Sequence, residues 1–312
     1  MATLKAWVKA GRPRTLPLAI TCVLIGASIS LSDSDFPTDG FPDSKFYIVL
    51  GLTLLTVICL QVLANFANDY GDFKKGTDGP ERLDRAMASG EISENEMKYA
   101  LIATSMTAFI LGCSAVFFAF DFDFSKSAVT LFFITLGCGS IYAALRYTMW
   151  SGSYGYKGLG DIVVLLFFGY IGVLGVAYML SGGFSFYWLL PATFSGLMSV
   201  SVLNLNNLRD CENDAKSGKN TIVVKLGFKN AKLYHATLLI VSWTVMFPFL
   251  FGIHDLPVWK GGLWYVLIAF IQLKHLVFVM KTTKPELLDP ELKKISLTAF
   301  VVALFMFLTV TA

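Results

Sequence analysis

The chain has 312 residues, of which 55% are apolar and only 15% are charged, and its mean hydropathy is +0.63. Soluble domains carry about 25% charged residues, so these values exclude an ordinary soluble enzyme, a disordered chain and a secreted disulfide scaffold. The five cysteines form no Cys-x-x-Cys pair and the three histidines no His-Glu-x-x-His pattern, so neither a zinc site nor a disulfide framework is indicated. The composition predicts an all-α, polytopic membrane protein.

Long apolar runs divide the chain into membrane-spanning segments. A bilayer core needs about 20 apolar residues per helix, and the runs are continuous rather than alternating, which favours helices over barrel strands. The first run has basic residues before it, and a signal peptide is the alternative there. The nine predicted spans are 15–32, 46–67, 97–120, 127–146, 161–181, 186–207, 234–253, 261–281 and 294–311.

This division into spans places most of the positive charges on one side of the membrane. If nine spans cross the membrane, 22 of the 25 Lys and Arg residues fall on one side, with Lys45, Lys126 and Lys260 on the other. Because cytoplasmic loops carry the excess of Lys and Arg, the N-terminus is predicted inside and the C-terminus outside. We expect residues 1–312 to form a single transmembrane domain in a bacterial-type cytoplasmic (inner) membrane.

Two polar stretches, 65–78 and 204–221, end the second and sixth spans. Both spans run in the same direction, so the two stretches are predicted at the same membrane surface, each before a long basic loop. If each stretch is helical, with a rotation of 100° per residue, its oxygen-bearing side chains lie on one face of the helix, within an arc of about 100° or less. A short likeness between 62–69 and 202–207 suggests a repeat. The side chains on these faces are Asn65, Asn68, Asp69 and Asp72 in the first stretch, and Asn207, Asp210 and Asp214 in the second, with Asp78 just beyond the first face.

Carboxylate and amide oxygens favour Mg²⁺, which shares its coordination sphere with water and substrate phosphates. Two polar helix faces of this kind that oppose each other can bind magnesium ions around a diphosphate. Neighbouring cations can then neutralise the remaining phosphate charge. An allylic diphosphate fits this arrangement, because its head lies at the membrane surface and its tail among the helices. The candidate diphosphate contacts are Lys75, Arg82, Arg85, Arg209 and Lys219.

A divalent-cation transporter is the alternative from another class of protein. Transporter sites lie near the bilayer midplane, whereas both polar stretches lie at the cytoplasmic edge beside basic loops that repel a passing cation. The sequence therefore favours an enzyme.

Several motifs resemble those of the UbiA superfamily of intramembrane aromatic prenyltransferases. Asn68-Asp69-x-x-Asp72 and Asp210-x-x-x-Asp214 are similar to its two aspartate-rich motifs. Position 76 is Gly where the family often has a third Asp, and the next acid is Asp78, as in the branch that uses 1,4-dihydroxy-2-naphthoate in menaquinone synthesis. That branch is also similar in the segments 7–17, 154–161 and 204–221, whereas Trp150–Ser153 departs from a stretch that is often Gly-Pro.

The resemblance implies nine helices around a central cavity open to the cytoplasmic side. It also implies that polyprenyl diphosphate ionises with Mg²⁺ and that the ring attacks the cation, losing CO₂ and giving demethylmenaquinol. The acceptor stays open at this point, with 4-hydroxybenzoate, homogentisate or a porphyrin as alternatives. No nucleic acid or protein partner is implied.

Residue roles follow from the resemblance as expectations. The metal ligands are Asn68, Asp69, Asp72, Asp78, Asp210 and Asp214. Tyr142 and Tyr147 join the aspartates as catalytic candidates, because a tyrosine face attracts a cation. The remaining substrate contacts are Asn65, Asn68 and Asn207 for the diphosphate, Arg146 and Lys157 in the fourth loop region, and Arg12 and Arg14 for the acceptor carboxylate.

Overall fold

The computed structural model describes residues 2–32, 43–77, 85–252 and 263–311. The described chain is helical, and no strand is found in it. The α-helices are α1 (Leu4–Gly11), α2 (Leu16–Ser32), α3 (Ser44–Lys74), α4 (Glu94–Ala119), α5 (Ser127–Arg146), α6 (Gly160–Val164), α7 (Gly175–Ser181), α8 (Leu189–Lys216), α9 (Ile222–Gly252), α10 (Leu263–Lys281) and α11 (Asp289–Thr311), and a π-helical segment, Leu165–Leu174, joins α6 to α7.

Nine segments of the described chain are long and apolar enough to cross a membrane. The predicted number of spans is therefore confirmed, with α1–α2 forming the first and α6–α7 with the π-helical segment forming the fifth. Successive spans run in opposite directions, so the second and sixth spans both end at the same end of the helical body, at Lys74 and Lys216. We call this the motif end.

The helices that carry the two polar stretches are longer than the apolar runs that predicted them. α3 continues to Lys74 and α8 to Lys216, so the polar side chains lie on rigid helix and not in loops. Hydropathy detects only the part of a helix in the bilayer, whereas the helix itself continues until a capping residue ends it.

Both helices end in the same cap. Gly76 and Gly218 take the left-handed conformation, with φ of 67° and 73°, which glycine adopts without strain. The amide of Thr77 then donates to the Asp72 carbonyl (3.0 Å), and that of Lys219 to the Asp214 carbonyl (2.8 Å). The caps thus make Asp72 and Asp214 equivalent positions in the two helices. The sequence likeness between 62–69 and 202–207 would instead pair Asp72 with the residue two positions before Asp214.

The loop after the second stretch is short, contrary to the long basic loop predicted for 208–233. Only five residues, 217–221, separate α8 from α9. α9 contains a break at Gly227, whose φ and ψ are 75° and 156°. The first part of α9 carries Lys225, Lys229, Asn230 and Lys232, which interrupt its apolar residues, and this is why the sequence placed the start of the helix near 234.

The main core lies where α2, α8 and α11 pack together with α9 and the π-helical segment. Buried polar groups also connect the last three spans: His235 Nε2 lies 2.9 Å from His275 Nε2, and His275 Nδ1 lies 2.5 Å from Glu291 Oε2. α3 and α4 form a second cluster with the N-terminal helix. α5, in contrast, contains no fully buried residue.

Close packing at Gly26 gives a test of this arrangement. A Cβ at Gly26 would lie 2.7 Å from the Val173 carbonyl oxygen, whereas one at Gly51 would meet nothing within 4 Å. Overpacking costs about 1–3 kcal/mol, so Gly26→Ala is expected to lower the melting temperature of the detergent-solubilised protein. Gly51→Ala is the matched control and is expected to leave it unchanged or raise it, because Ala favours helix. Equal melting temperatures for the two variants would contradict the packing of α2 on the π-helical segment.

Candidate active site

The two polar stretches meet at a shared lysine. Lys219 Nζ lies 3.3 Å from Asp72 Oδ2 and 3.9 Å from Asp214 Oδ1. All three side chains are buried. The shared cap explains the meeting, because it places each carboxylate at the same distance before the end of its helix, and the turn after Asp214 directs Lys219 back between them. One cation position thus joins carboxylates from both motifs.

The ammonium of Lys219 stays charged despite its burial. Burial alone would lower its pKa, but the carboxylates of Asp72 and Asp214 raise the pKa well above its ordinary value. The charge is the reason that two buried carboxylates lie so close together, since unpaired buried charges are costly.

Tyr156 is the residue around which this cluster is organised, and the sequence reasoning did not select it. Its hydroxyl donates to Asp72 Oδ1 (2.8 Å) and lies 2.5 Å from Thr77 Oγ1. Burial and the neighbouring Asp72 carboxylate raise the pKa of Tyr156, which keeps the phenol neutral and a donor. The only sequence signal was its place in the Tyr-Gly-Tyr loop, which does not reveal that the ring reaches α3.

Lys75 lies over the aromatic ring of Tyr156. Its Nζ is 3.8 Å from the centroid of Tyr156 and donates to Ser153 Oγ (2.6 Å). Partial burial lowers the pKa of Lys75, Asp72 opposes that effect, and the nearby charges of Lys219 and Arg146 lower it further. Lys75 is therefore a partly buried cation with two further cations nearby, an arrangement that an anionic ligand would stabilise.

Asp210 lies in a second cluster that is dominated by arginine. Arg209 makes a two-point contact to it, Nε to Oδ1 at 2.8 Å and Nη2 to Oδ2 at 2.7 Å, and Arg85 Nη2 approaches to 3.9 Å. Arg209 and Arg14 both donate to Asp289 Oδ1, at 2.5 and 2.8 Å. Asp289 was not predicted, because the last third of the sequence carries no motif.

The N-terminal segment is fixed over the first motif by two asparagines. Asn65 Nδ2 donates to the Gly11 carbonyl (2.9 Å) and to Thr15 Oγ1 (3.1 Å). In the amide orientation that satisfies both of its polar atoms, Asn68 donates to Asp72 Oδ2 (3.0 Å) and accepts from Arg12 Nη1 (2.9 Å). These contacts bring Arg12, which has a left-handed φ of 47°, to the first aspartate motif.

A cavity of about 350 Å³ opens beneath these residues. Its polar mouth includes Arg12, Arg14, Asn65 and Asn68, and its walls come from α2, α3, α5, the π-helical segment and α8. Within the described chain, its lining has no Asp or Glu side chain. The cavity is thus polar at the motif end and apolar at depth.

The other predicted site residues are distributed unevenly. Tyr147 lines the cavity, and burial raises its pKa to about 12. Arg146 and Lys157 lie near the surface beside Gly152, within 4 Å of the position its Cβ would take. Tyr142 is 57% exposed and stacks on Trp150, 6.0 Å between centroids, and it does not line the cavity.

Four further predicted residues belong to the two polar stretches or to the loop after the first. Asp69 and Asn207 are buried on the motif helices. Asp78 and Arg82 lie outside the described residues.

The donor set fits Mg²⁺ together with a phosphate ligand. Among the described residues, no three acid, histidine or cysteine side chains converge on one point. Mg²⁺ is usually bound through one or two carboxylates, with substrate phosphates and water completing the octahedron. The pair of Asp72 and Asp214 around a single cation position meets that requirement.

Comparisons with known proteins agree with this geometry. Residues 19–288 match the model of the UbiA prenyltransferase family, and the chain therefore belongs to that family. It is 39% identical to proteins named 1,4-dihydroxy-2-naphthoate octaprenyltransferase from Haemophilus influenzae, over 96% of this chain and 93% of that one, and from Escherichia coli, over 93% and 90%.

Solved structures share the fold. A UbiA homologue from Aeropyrum pernix has a TM-score of 0.65 at 15% identity, over 94% of this chain and 96% of that one. A UbiA homologue from Archaeoglobus fulgidus, bound to GPP and Mg²⁺, has a TM-score of 0.59 at 14% identity, over 98% and 100%. The predicted all-helical membrane fold around a cavity is that of the family.

Tyr156→Phe tests the organisation of the first cluster. It removes the donor to Asp72, and a hydrogen bond to a charged group is worth about 1.5–3 kcal/mol. We expect kcat/KM for the prenyl diphosphate to fall by about 10- to 150-fold. Tyr142→Phe, which removes a hydroxyl outside the cavity, should retain the wild-type value. A larger loss for Tyr142→Phe than for Tyr156→Phe would contradict the assignment.

Proposed function

We propose that the protein transfers a polyprenyl group from polyprenyl diphosphate to 1,4-dihydroxy-2-naphthoate, releasing diphosphate and CO₂ and giving demethylmenaquinol. The observation that carries the proposal is the pair of motif carboxylates, Asp72 and Asp214, that share one buried cation position above an apolar cavity. The names of the relatives at 39% identity supply the acceptor.

The diphosphate binds at the motif end in this proposal. Asp69, Asp72, Asp210 and Asp214, with Asn68 and Asp78, would hold Mg²⁺, which neutralises phosphate charge when bound. Lys219 then turns from the two carboxylates to a phosphate oxygen. The other cations at this end, Lys75, Arg82, Arg85 and Arg209, bind the remaining oxygens as hydrogen-bond donors.

The cavity mouth holds the reacting groups. The C–O bond of the allylic diphosphate breaks, and its electron pair leaves with the diphosphate, whose growing charge the cations stabilise. Tyr147 lines the cavity, and in this proposal its aromatic ring stabilises the allylic cation. The carbon of the acceptor that bears the carboxylate forms the new C–C bond, and CO₂ departs and leaves its electron pair in the ring.

Arg12 and Arg14 are the candidate contacts of the acceptor carboxylate, because both lie at the polar mouth of the cavity. Arg146 and Lys157 lie near the surface and are suited to attracting anionic substrates rather than to touching the reacting carbons. We assign all of these roles to one transmembrane domain, residues 1–312, in the cytoplasmic membrane with the motif end and N-terminus inside. The excess of positive charge at that end supports the orientation.

An acceptor screen tests the reaction directly. Purified protein supplied with Mg²⁺, a polyprenyl diphosphate and 1,4-dihydroxy-2-naphthoate is expected to release diphosphate and CO₂ in equal amounts. 4-Hydroxybenzoate and homogentisate serve as competing acceptors. Diphosphate release without CO₂ would point to another acceptor, and no turnover with any aromatic acceptor would refute the proposal.

Asp214→Asn tests the role of the shared carboxylates. It removes one charge from the cation position, and we expect turnover to fall at least about 100-fold, the order found when one charge-stabilising group is lost. Asp121→Asn is the control, since Asp121 is at the opposite end of the helical body and pairs with Lys45. The experiment is read from initial rates on protein of equal purity and melting temperature. Full activity of Asp214→Asn would refute the metal assignment.

A further inference from the structure

Asp289 connects three distant parts of the chain at the motif end. Its Oδ1 accepts hydrogen bonds from Arg14 Nη1 (2.8 Å) and from Arg209 Nη1 (2.5 Å). Arg14 precedes α2, Arg209 lies on α8, and Asp289 is the first residue of α11. One carboxylate oxygen therefore occupies the point at which two guanidinium groups converge.

This point lies at the mouth of the central cavity. The lining includes Arg14 itself, Asn206 on the turn before Arg209, and Leu292 on the turn after Asp289. Asn206 Oδ1 also accepts from Arg209 Nη2 (2.8 Å). An anionic group at the edge of a ligand in the cavity can therefore take the place of the Asp289 carboxylate.

Of the three side chains, that of Asp289 is the one that can move away. Its exposed fraction is 46%, compared with 33% for Arg14 and 9% for Arg209. Asp210 fixes Arg209 through two hydrogen bonds, to Nε and Nη2, so Nη1 keeps its direction when Asp289 departs. Partly exposed ion pairs are also weak, and a carboxylate that turns into water loses little.

The charges determine which ligands can replace Asp289. Asp210 and Asp289 balance the two guanidinium groups of Arg209 and Arg14. If the Asp289 carboxylate leaves without a substitute, one positive charge at the cavity mouth loses its partner, which is unfavourable for a group that is largely buried. A ligand carboxylate restores the balance, and guanidinium groups bind its oxygens well. An uncharged aromatic ring does not restore the balance.

We propose that Asp289 occupies the binding position of the acceptor carboxylate, between Arg14 and Arg209, while the site is empty, and that it thereby selects carboxylated acceptors. The proposal rests on the proposed function. A carboxylated naphthol replaces Asp289 with no net loss of ion pairs, whereas a ring without a carboxylate leaves Asp289 in place. When CO₂ departs, Asp289 pairs with the two arginines again. The same position then distinguishes the acceptor from the product, which has no carboxylate.

Binding measured in the absence of a prenyl diphosphate tests this displacement. The two ligands are 1-hydroxy-2-naphthoate, which has the carboxylate, and 1-naphthol, which lacks it. Asp289→Asn removes the competing charge and should tighten the binding of hydroxynaphthoate about 3- to 30-fold, the scale of two partly exposed ion pairs. The affinity for 1-naphthol should not change. Titration calorimetry of the full chain in detergent measures both affinities.

Glu286→Gln is the matched control. It removes one acidic charge three residues before Asp289, and Glu286 is exposed and forms no ion pair with the other described residues. Its affinity for both ligands should equal that of the wild type. Arg14→Gln is the opposite variant. It should weaken the binding of hydroxynaphthoate at least about tenfold, the scale of a hydrogen bond between charged groups, and leave 1-naphthol unaffected.

Three results would overturn the proposal. The first is hydroxynaphthoate binding that is unchanged or weaker in correctly folded Asp289→Asn. The second is an equal gain with both ligands, which would indicate a general loosening of the cavity. The third is tighter binding of inorganic diphosphate alone, which would assign the arginine pair to the other substrate. If Asp289→Asn fails to fold, Asp289→Ser keeps a residue that is favoured at the start of a helix and has the same expected results.

Failure of this inference is distinct from failure of the proposed function. Turnover by the wild type is measured separately, with a polyprenyl diphosphate, Mg²⁺ and each aromatic acceptor. Inactivity of the wild type with every acceptor would refute the proposed function. Unselective binding by Asp289→Asn, combined with an active wild type, would overturn only the role of Asp289.

Discussion

The ion pairs between Lys219 and the carboxylates of Asp72 and Asp214 are the interaction on which the site depends. A buried carboxylate without a partner is costly, and so is a buried ammonium. Together they join the ends of two long helices, α3 and α8, that are otherwise held by the apolar core. Removing the lysine or either acid would leave uncompensated charge at the point where the two halves of the site meet.

The surrounding contacts extend this pairing into a network. Tyr156 donates to the oxygen of Asp72 that Lys219 does not contact, and Lys75 lies on its ring. Asn213 donates to the Thr77 carbonyl (2.9 Å), so the cap of α3 is tied to the side of α8. The cations held here are arranged before any ligand binds, which is the condition for strong electrostatic stabilisation of a leaving diphosphate.

The sequence predicted the spans and the two motif faces because both depend on local patterns. Long apolar runs give the helices, and the 100° rotation per residue brings Asn68 and Asp72, or Asp210 and Asp214, to one face. The acids and amides concentrated at two helix ends predicted a site for metal and diphosphate, and the class of protein followed from the resemblance of the two aspartate motifs to those of the UbiA superfamily.

What the sequence did not provide depends on distant packing. Tyr156 and Asp289 belong to loops or helices remote from the motifs, and only the fold brings them to Asp72 and Arg209. Tyr142 was selected for its residue type, yet the rotation of α5 turns it away from the cavity towards Trp150. The lengths of α3 and α8 were underestimated because polar helix beyond the bilayer has no hydropathy signal.

The most direct test asks whether Lys219 occupies a position that a metal ion can take. Mn²⁺ binding, followed by electron paramagnetic resonance without diphosphate, compares the wild type with Lys219→Met. Freed of the competing ammonium, Asp72 and Asp214 should bind Mn²⁺ more tightly in the variant than in the wild type. Equal or weaker binding by a correctly folded variant would contradict the claim that the two motifs share one cation position.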